Sequence, residues 1–157
     1  MFTIHRGTIK FLLLKQNNAF YGRDTSHDTF DLGPKGHLNK GESYLQAAKR
    51  ELKEETGLNL HVDTNFMHEE SYTFSEQNSL THKRMTVDKK VVYFIAFAHD
   101  KDIRQIALSP EHTKYYLLPL NEMLSRLRYD NQRALVRQAD EYVRANYLPY
   151  MKLTKLN

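Results

Sequence analysis

The spacing of hydrophobic and polar positions changes several times along the chain, and each change marks an element. Residues 2–14 read as strand, tight turn at His5-Arg6-Gly7, and strand, with β-branched and aromatic residues on both sides of the turn. Asn17-Asn18 marks a second turn before a short segment at 19–21 that Gly22 closes, and residues 23–28 are polar loop. Residues 29–32 lead into a stretch of small and basic residues, Gly33-Pro34-Lys35-Gly36-His37 and then Lys40-Gly41. There the period becomes helical. Leu45, Ala48, Leu52 and the methyl of Thr56 share one stripe, with Glu51, Glu54 and Glu55 expected to one side of it, facing a cleft. Ser43 with Gln46 reads as a capping box, and Gly57 stands where a left-handed C-terminal cap is expected.

After this helix, residues 59–62 and 68–74 read as extended, the second carrying Tyr72. Residues 75–90 are the least regular, and His82-Lys83-Arg84 is expected at a solvated hairpin tip. Residues 91–98, VVYFIAFA, form a continuous apolar run bounded by charges, which predicts a strand covered on both faces. Residues 100–108 connect, with room for an extended segment near Ile106; a loop at 109–112 precedes a strand at 115–120. Asn121 is expected to cap one helix and Asp130 a longer one, whose buried stripe is Leu135, Ala139, Tyr142 and Val143. Strands flanked by helices and partly buried on both sides predict an α/β sandwich. A chain of 157 residues without an obvious linker predicts one domain over 1–157.

Composition narrows the chemistry only modestly. The net charge of +4 and pI near 9.2 favour anionic ligands such as polyphosphates or nucleic acid. The absence of cysteine excludes disulfides, thiolate metal sites and a cysteine nucleophile. The longest apolar runs are too short to span a membrane, so a soluble, cytoplasmic protein is expected, with no membrane association and no obligate protein partner.

The chemical signal lies in Arg50-Glu51-Leu52-Lys53-Glu54-Glu55. Carboxylates at i, i+3 and i+4 share one helix face and repel one another there, by a few tenths of a kcal/mol per close pair. A hard divalent cation offsets that repulsion, and magnesium in particular takes oxygen ligands and completes its shell with substrate phosphates.

The longer pattern, Gly36, five residues, Glu42, seven residues, then Arg50-Glu51-Leu52-x-Glu54-Glu55-x-Gly57-Leu58, resembles the complete Nudix box. Seven fixed residues at about 6% each, with two aliphatic positions, coincide by chance less than about once in a billion starting points. The resemblance implies a mixed β-sheet sandwiched between α-helices and a hydrolase acting on phosphoric anhydride bonds with Mg2+ or Mn2+. It implies metal ligation by Glu51, Glu54, Glu55 and the Gly36 backbone carbonyl. It further implies that Arg50 orients Glu51, that Glu42 is structural or lies outside the immediate ligand set, and that the general base is Glu51 or Glu111.

Outside the box, Pro34-Lys35-Gly36-His37, Lys90 before its apolar strand, and Ser109-Pro110-Glu111-His112 resemble the subgroup that cleaves diadenosine tetraphosphate asymmetrically, to ATP and AMP. That subgroup implies phosphate contacts from Lys35 and Lys90, substrate binding by His37, a metal or base role for Glu111, and adenine stacking by Tyr72 and Tyr129. The chain departs from it in its short first strand, in Phe30 where a tryptophan usually stands, in an apparently inserted Gly33, and in its long stretch 75–89. A nucleotide polyphosphate is the implied substrate. Removal of pyrophosphate from an RNA 5′ end, hydrolysis of a nucleoside triphosphate or a diphosphoinositol phosphate, and a non-catalytic nucleotide-binding Nudix module are the alternatives.

Overall fold

The computed structural model describes residues 1–77 and 84–153. His82 and Lys83 of the expected tip therefore lie outside the described residues. Two strands, β1 (Phe2–His5) and β2 (Thr8–Gln16), form an antiparallel hairpin running from Phe2 opposite Phe11 to His5 opposite Thr8. The turn between them places Arg6 and Gly7 at φ of 50° and 80°, the paired positive values of a tight hairpin turn, which glycine adopts without steric cost. β2 is the spine of this sheet. Short β3 (Phe30–Asp31) pairs with Leu14 and Lys15 on the edge that β1 uses, while β6 (His112–Leu118) lines the other edge from Phe11 to Gln16. A second sheet consists of β4 (Val62–Gln77) and β5 (Arg84–Ala96), antiparallel, with a bulge between Asp63 and Met67. A parallel bridge between Phe2 and Phe97, with Ala98 N donating to Phe2 O at 2.9 Å, joins the two sheets.

Alternation along β5 shows how the layers stack. Ala96 packs with Leu52, Val62, Leu45 and Phe94 beneath helix α1 (Tyr44–Thr56), whereas Ile95 points the other way. Ile95 joins Phe2, Ile4, Phe11 and Leu13 beneath α3 (Leu120–Arg126) and α4 (Asp130–Asn146), which contribute Met123, Val136, Ala139 and Val143. The strands thus lie between helices, as expected, with α2 (Asp100–Ile103) in a connection and α5 (Leu148–Leu153) after α4. No helix among the described residues is long and apolar enough to cross a membrane.

Several expected elements shift. The strand after α1 begins at Val62 rather than near residue 59 and runs unbroken to Gln77. Most of the supposedly irregular 75–90 region continues the ladder, with Arg84 opening β5 rather than sitting in the tip. Cross-strand polar pairs such as Thr73 Oγ1 donating to Asp88 at 2.6 Å accompany these outer rungs. Because the hairpin extends past the helices, Val91 to Phe94 are only half-buried, and full burial in the apolar run is confined to Ile95, Ala96 and Ala98. The 100–108 connection contains α2, not a strand near Ile106. β6 starts and ends earlier than 115–120. α3 begins at Leu120 behind Pro119, so Asn121 lies inside the helix rather than capping it. Tyr129, not Asp130, occupies the cap position of α4, and Asp130 accepts instead from Arg133 Nη1 at 2.7 Å.

Candidate functional site

Helix α1 is fixed at both ends as its sequence predicts. Ser43 Oγ accepts from Gln46 N, Gln46 Oε1 accepts from Ser43 N at 2.8 Å, and Gly57 (φ 73°) donates to Lys53 O at 2.8 Å. The caps set where the helix starts and stops, and Leu52 against the sheet sets its rotation about its axis. Together they determine where the carboxylates point.

Arg50 gathers the box. Nε and Nη2 grip both oxygens of Glu42 at 2.9 and 3.0 Å, Nη1 donates to Glu51 Oε1 at 2.5 Å and to Glu54 Oε2 at 2.9 Å, and Nη2 also reaches the His37 carbonyl at 2.8 Å. The guanidinium fork holds Glu42 well below the usual carboxylate range, helped by Asn39 N. Glu42 is thereby a brace for Arg50. Gly36 lies flat against Glu51, since a Cβ built there would sit 1.8 Å from Glu51 Oε1. Only a residue without a side chain allows the loop backbone so close to that carboxylate.

Glu55 behaves differently from its neighbours. Glu51 is half-buried and Glu54 exposed, but Glu55 is 4% exposed and accepts a long hydrogen bond, 3.3 Å, from Lys35 N. Burial, with the nearby charges of Asp31 and Glu51, pushes its pKa up to about 7, although His112 and the Lys35 amide act in the opposite direction. Glu51, Glu54 and Glu55 are expected to one side of the helix, facing a cleft, and of the three Glu55 is the buried one. It adjoins fully buried Thr56, and one residue is about 100° of helix rotation, enough to turn its side chain under the loop.

A second cluster stands beside it. His112 Nε2 faces Asp31 Oδ2 at 3.1 Å, both residues buried, while Asp31 also pairs with Lys35 Nζ and accepts from Gln16 Nε2 at 2.7 Å. Burial alone would push the Asp31 pKa up and that of His112 down. Their contact reverses both directions, with Lys35 and Gln16 also acting on Asp31 and the fields of Glu55 and Glu111 on His112. The Tyr21 hydroxyl donates to Glu111 Oε2, and that hydroxyl feels Glu111, Asp31 and Glu55 together.

The structure thus brings Lys35, Gly36, the His37 carbonyl, Arg50, Glu51, Glu54 and Glu55 together along α1, and sets Glu111 against Tyr21, whose hydroxyl also feels Glu55. Among the described residues, no three carboxylate or imidazole side chains are already placed as a metal-ligand group, and Arg50 Nη1 donates to both Glu51 and Glu54. The remaining expected contacts lie elsewhere. Lys90, on β5, pairs with Glu69 at 2.6 Å and stands 5.5 Å from the Tyr44 ring centroid at the start of α1. Tyr72 is exposed on β4, and Tyr129 is exposed at the head of α4 with Arg128 over its ring at 5.6 Å. Asn131 Nδ2 donates to Glu70 Oε2 at 2.9 Å, tying the head of α4 to the strand face that carries Tyr72 two residues further on. Asp31, Gln16 and Tyr21 escaped the sequence reading, and His112 entered it only as part of a loop motif. A lone carboxylate in the short Phe30-Asp31-Leu32 segment was the one available signal for this cluster.

With this fold and this acidic helix end, the chain belongs to the Nudix hydrolase family: the family described as NUDIX domain matches residues 1–139. Among curated proteins it is similar to the asymmetrical bis(5′-nucleosyl)-tetraphosphatase of Sus scrofa, 31% identical over 138 residues, covering 86% of this chain and 81% of that protein. The protein of the same name from Rattus norvegicus is 31% identical over 139 residues, covering 87% and 82%. Among solved structures, the binary complex of C. elegans Ap4A hydrolase superposes with a TM-score of 0.65 at 25% identity, covering 92% of this chain and 93% of that one.

Proposed function

We propose that the chain is a magnesium- or manganese-dependent pyrophosphohydrolase of dinucleoside polyphosphates, cleaving diadenosine tetraphosphate to ATP and AMP. The observation that carries this reading is the grouping of Gly36, Glu51, Glu54 and Glu55 around Arg50 on α1, with Glu111 nearby through Tyr21, beside relatives named asymmetrical bis(5′-nucleosyl)-tetraphosphatase and Ap4A hydrolase.

The donor set fits a hard divalent cation in its chemistry. It is all oxygen, it is crowded, and the raised pKa of Glu55 reports a buried carboxyl short of positive charge. Glu51, Glu54, Glu55, Glu111 and the Gly36 carbonyl are the groups that would hold it. A cation there supplies charge neutralisation on phosphate oxygens and a lowered pKa for a ligated water.

The protein's own groups then have distinct tasks. Water attacks a phosphorus inside the chain and a nucleotide phosphate leaves, so a base must accept a proton and cations must offset oxygen charge. Glu51 and Glu111 are the candidate bases. Arg50 positions Glu51 and Glu54, while Lys35, His37 and Lys90 bind the polyphosphate. Tyr72 and Tyr129, linked through the Asn131–Glu70 hydrogen bond, stack on adenine. Val143 of α4, beyond the matched segment, is fully buried in the main core, which favours one domain over residues 1–157.

Product analysis tests this reading. The chain is incubated with diadenosine tetraphosphate, capped and triphosphorylated RNA, nucleoside triphosphates and a diphosphoinositol phosphate, with Mg2+, with Mn2+ and with chelator. ATP and AMP in equal amounts, only with metal, are expected. Rapid release of pyrophosphate from RNA with the dinucleotide left intact would replace the substrate assignment. No turnover of any substrate despite nucleotide binding would make the chain a non-catalytic module.

A further inference from the structure

The loop between β2 and β3 carries an aromatic tip beside Glu111 that the hydrolase reading leaves unused. Phe20 is 56% exposed and Tyr21 37%, their rings meeting edge to face with centroids 5.3 Å apart. Exposing an aromatic ring forgoes the gain its burial would bring, and a lone exposed aromatic on a slack loop would mean little. This loop is firmly held. Asn17 N donates to Glu111 O at 2.7 Å and Asn17 Nδ2 to Pro110 O at 2.9 Å, so the loop's first residue is tied to the chain around Glu111. Phe20 N donates to Asn17 Oδ1 at 3.3 Å. Asn18, itself buried, donates to the carbonyls of Asp24 and His27 and accepts from Thr29 Oγ1. Gly22, at φ 62°, makes the turn that returns the chain.

Tyr21 sets the direction of the tip. Its hydroxyl donates to Glu111 while Arg23 lies 4.7 Å over its ring, so the phenol is fixed at its edge and covered on a face. Arg23 is in turn fixed by Gln16 Oε1 at 3.0 Å, and Gln16 reaches Asp31. The one large apolar surface left open at this tip is the Phe20 ring.

We propose that Phe20, braced by Tyr21 and Arg23, is a stacking platform for a nucleobase of the substrate, held at a set distance from the reacting phosphates by the Tyr21–Glu111 hydrogen bond. This rests on the hydrolase reading and deepens it. A dinucleoside polyphosphate has two bases. Tyr72 and Tyr129 on the β4 and α4 side offer stacking faces for one, and the Glu111 side needs a second platform for the other. Base-to-aromatic stacking is sequence-tolerant, so this subsite would favour nucleotides over bare polyphosphates rather than one base over another.

The test compares wild type, Phe20→Ala and Phe20→Trp on the nucleotide substrate that wild type turns over best. Inorganic tripolyphosphate, with metal in excess, serves as a base-free competitive inhibitor. Phe20→Ala should raise KM about five- to hundred-fold relative to any change in the tripolyphosphate inhibition constant, and Phe20→Trp should restore KM to within about threefold of wild type. An unchanged KM in Phe20→Ala overturns the platform while leaving the hydrolase reading intact. Equal weakening of substrate and tripolyphosphate also overturns it, because the loop would then only support the phosphate site. A wild type that hydrolyses no nucleotide overturns both.

Discussion

Replacing Gly36 by alanine isolates the acidic centre from the stability of the fold. A Cβ at this position would lie 1.8 Å from Glu51 Oε1, 2.0 Å from its Cδ and 2.4 Å from Oε2, whereas ordinary contact starts at 3.4 Å. The obstacle is the far end of a side chain and not backbone, so Glu51 can rotate aside without disturbing α1. That movement must exceed about 1 Å, and it breaks the 2.5 Å hydrogen bond from Arg50 Nη1. Misplacing a catalytic group by about 1 Å costs on the order of 10²-fold in rate. Gly36→Ala should therefore lower kcat/KM about 100-fold while moving Tm by no more than a few degrees. Initial rates at saturating metal and thermal melting followed by circular dichroism measure the two quantities on one preparation. Wild-type kinetics in a normally melting Gly36→Ala protein would refute the assignment of Glu51 to the reaction. A large loss of Tm would instead mean that the loop backbone, not the side chain, had given way.

Other perturbations probe separate parts of the argument. Glu55→Gln keeps the shape and the acceptor for Lys35 N but removes a buried charge; turnover should drop by about 10²-fold or more while Tm at pH 8 stays level or rises. Tyr72→Ala should raise KM for the nucleotide about five- to hundred-fold with the fold unchanged, and an unaltered KM would return Tyr72 to a structural role. Far from the site, buried Asp63 accepts from Tyr142 OH at 2.9 Å and Tyr147 OH at 2.7 Å. Burial would raise its pKa, but these hydroxyls and the Asn65 amide hold it below the ordinary 3.8. A depressed folded pKa stabilises above the unfolded value, so this contribution is complete above pH 3.8 and disappears as the pH falls through the lower folded value. Acid titration of denaturant midpoints should show that loss, and Asp63→Asn should flatten it while costing about 1–3 kcal/mol near neutrality.

The parts of this fold that sequence revealed are those whose causes are local. The β1–β2 hairpin follows from Gly7 between two apolar runs, and α1 follows from Ser43, Gln46 and Gly57, all within the reach of one short segment. The acidic box was legible for the same reason, its members being contiguous or one helical turn apart. Asp31 and His112 are 81 residues apart and meet only because β3 and β6 flank opposite edges of β2, so no spacing rule could pair them. The outer rungs of the β4–β5 hairpin were misread because they have little core to face. The alternation there is short: Met85 and Val87 stand between Arg84, Thr86 and Asp88, and Lys89 and Lys90 break it off before the apolar run begins. Which of the three carboxylates is covered was not legible, because the overlying loop at Lys35, not the helical spacing, decides that it is Glu55.

Beyond the Gly36 and Lys35 contacts, the Arg50 guanidinium ties a loop ending at Glu42 to the carboxylates of Glu51 and Glu54 on the helix. In a protein without cysteine it acts as an ionic tether, and strain applied at one end is felt at the other. Inserting a single residue between His37 and Glu42 would drag the fork out of register and swing the carboxylates with it, even though none of the inserted atoms came near a substrate. The length of that loop is thus under the same constraint as the acidic side chains themselves.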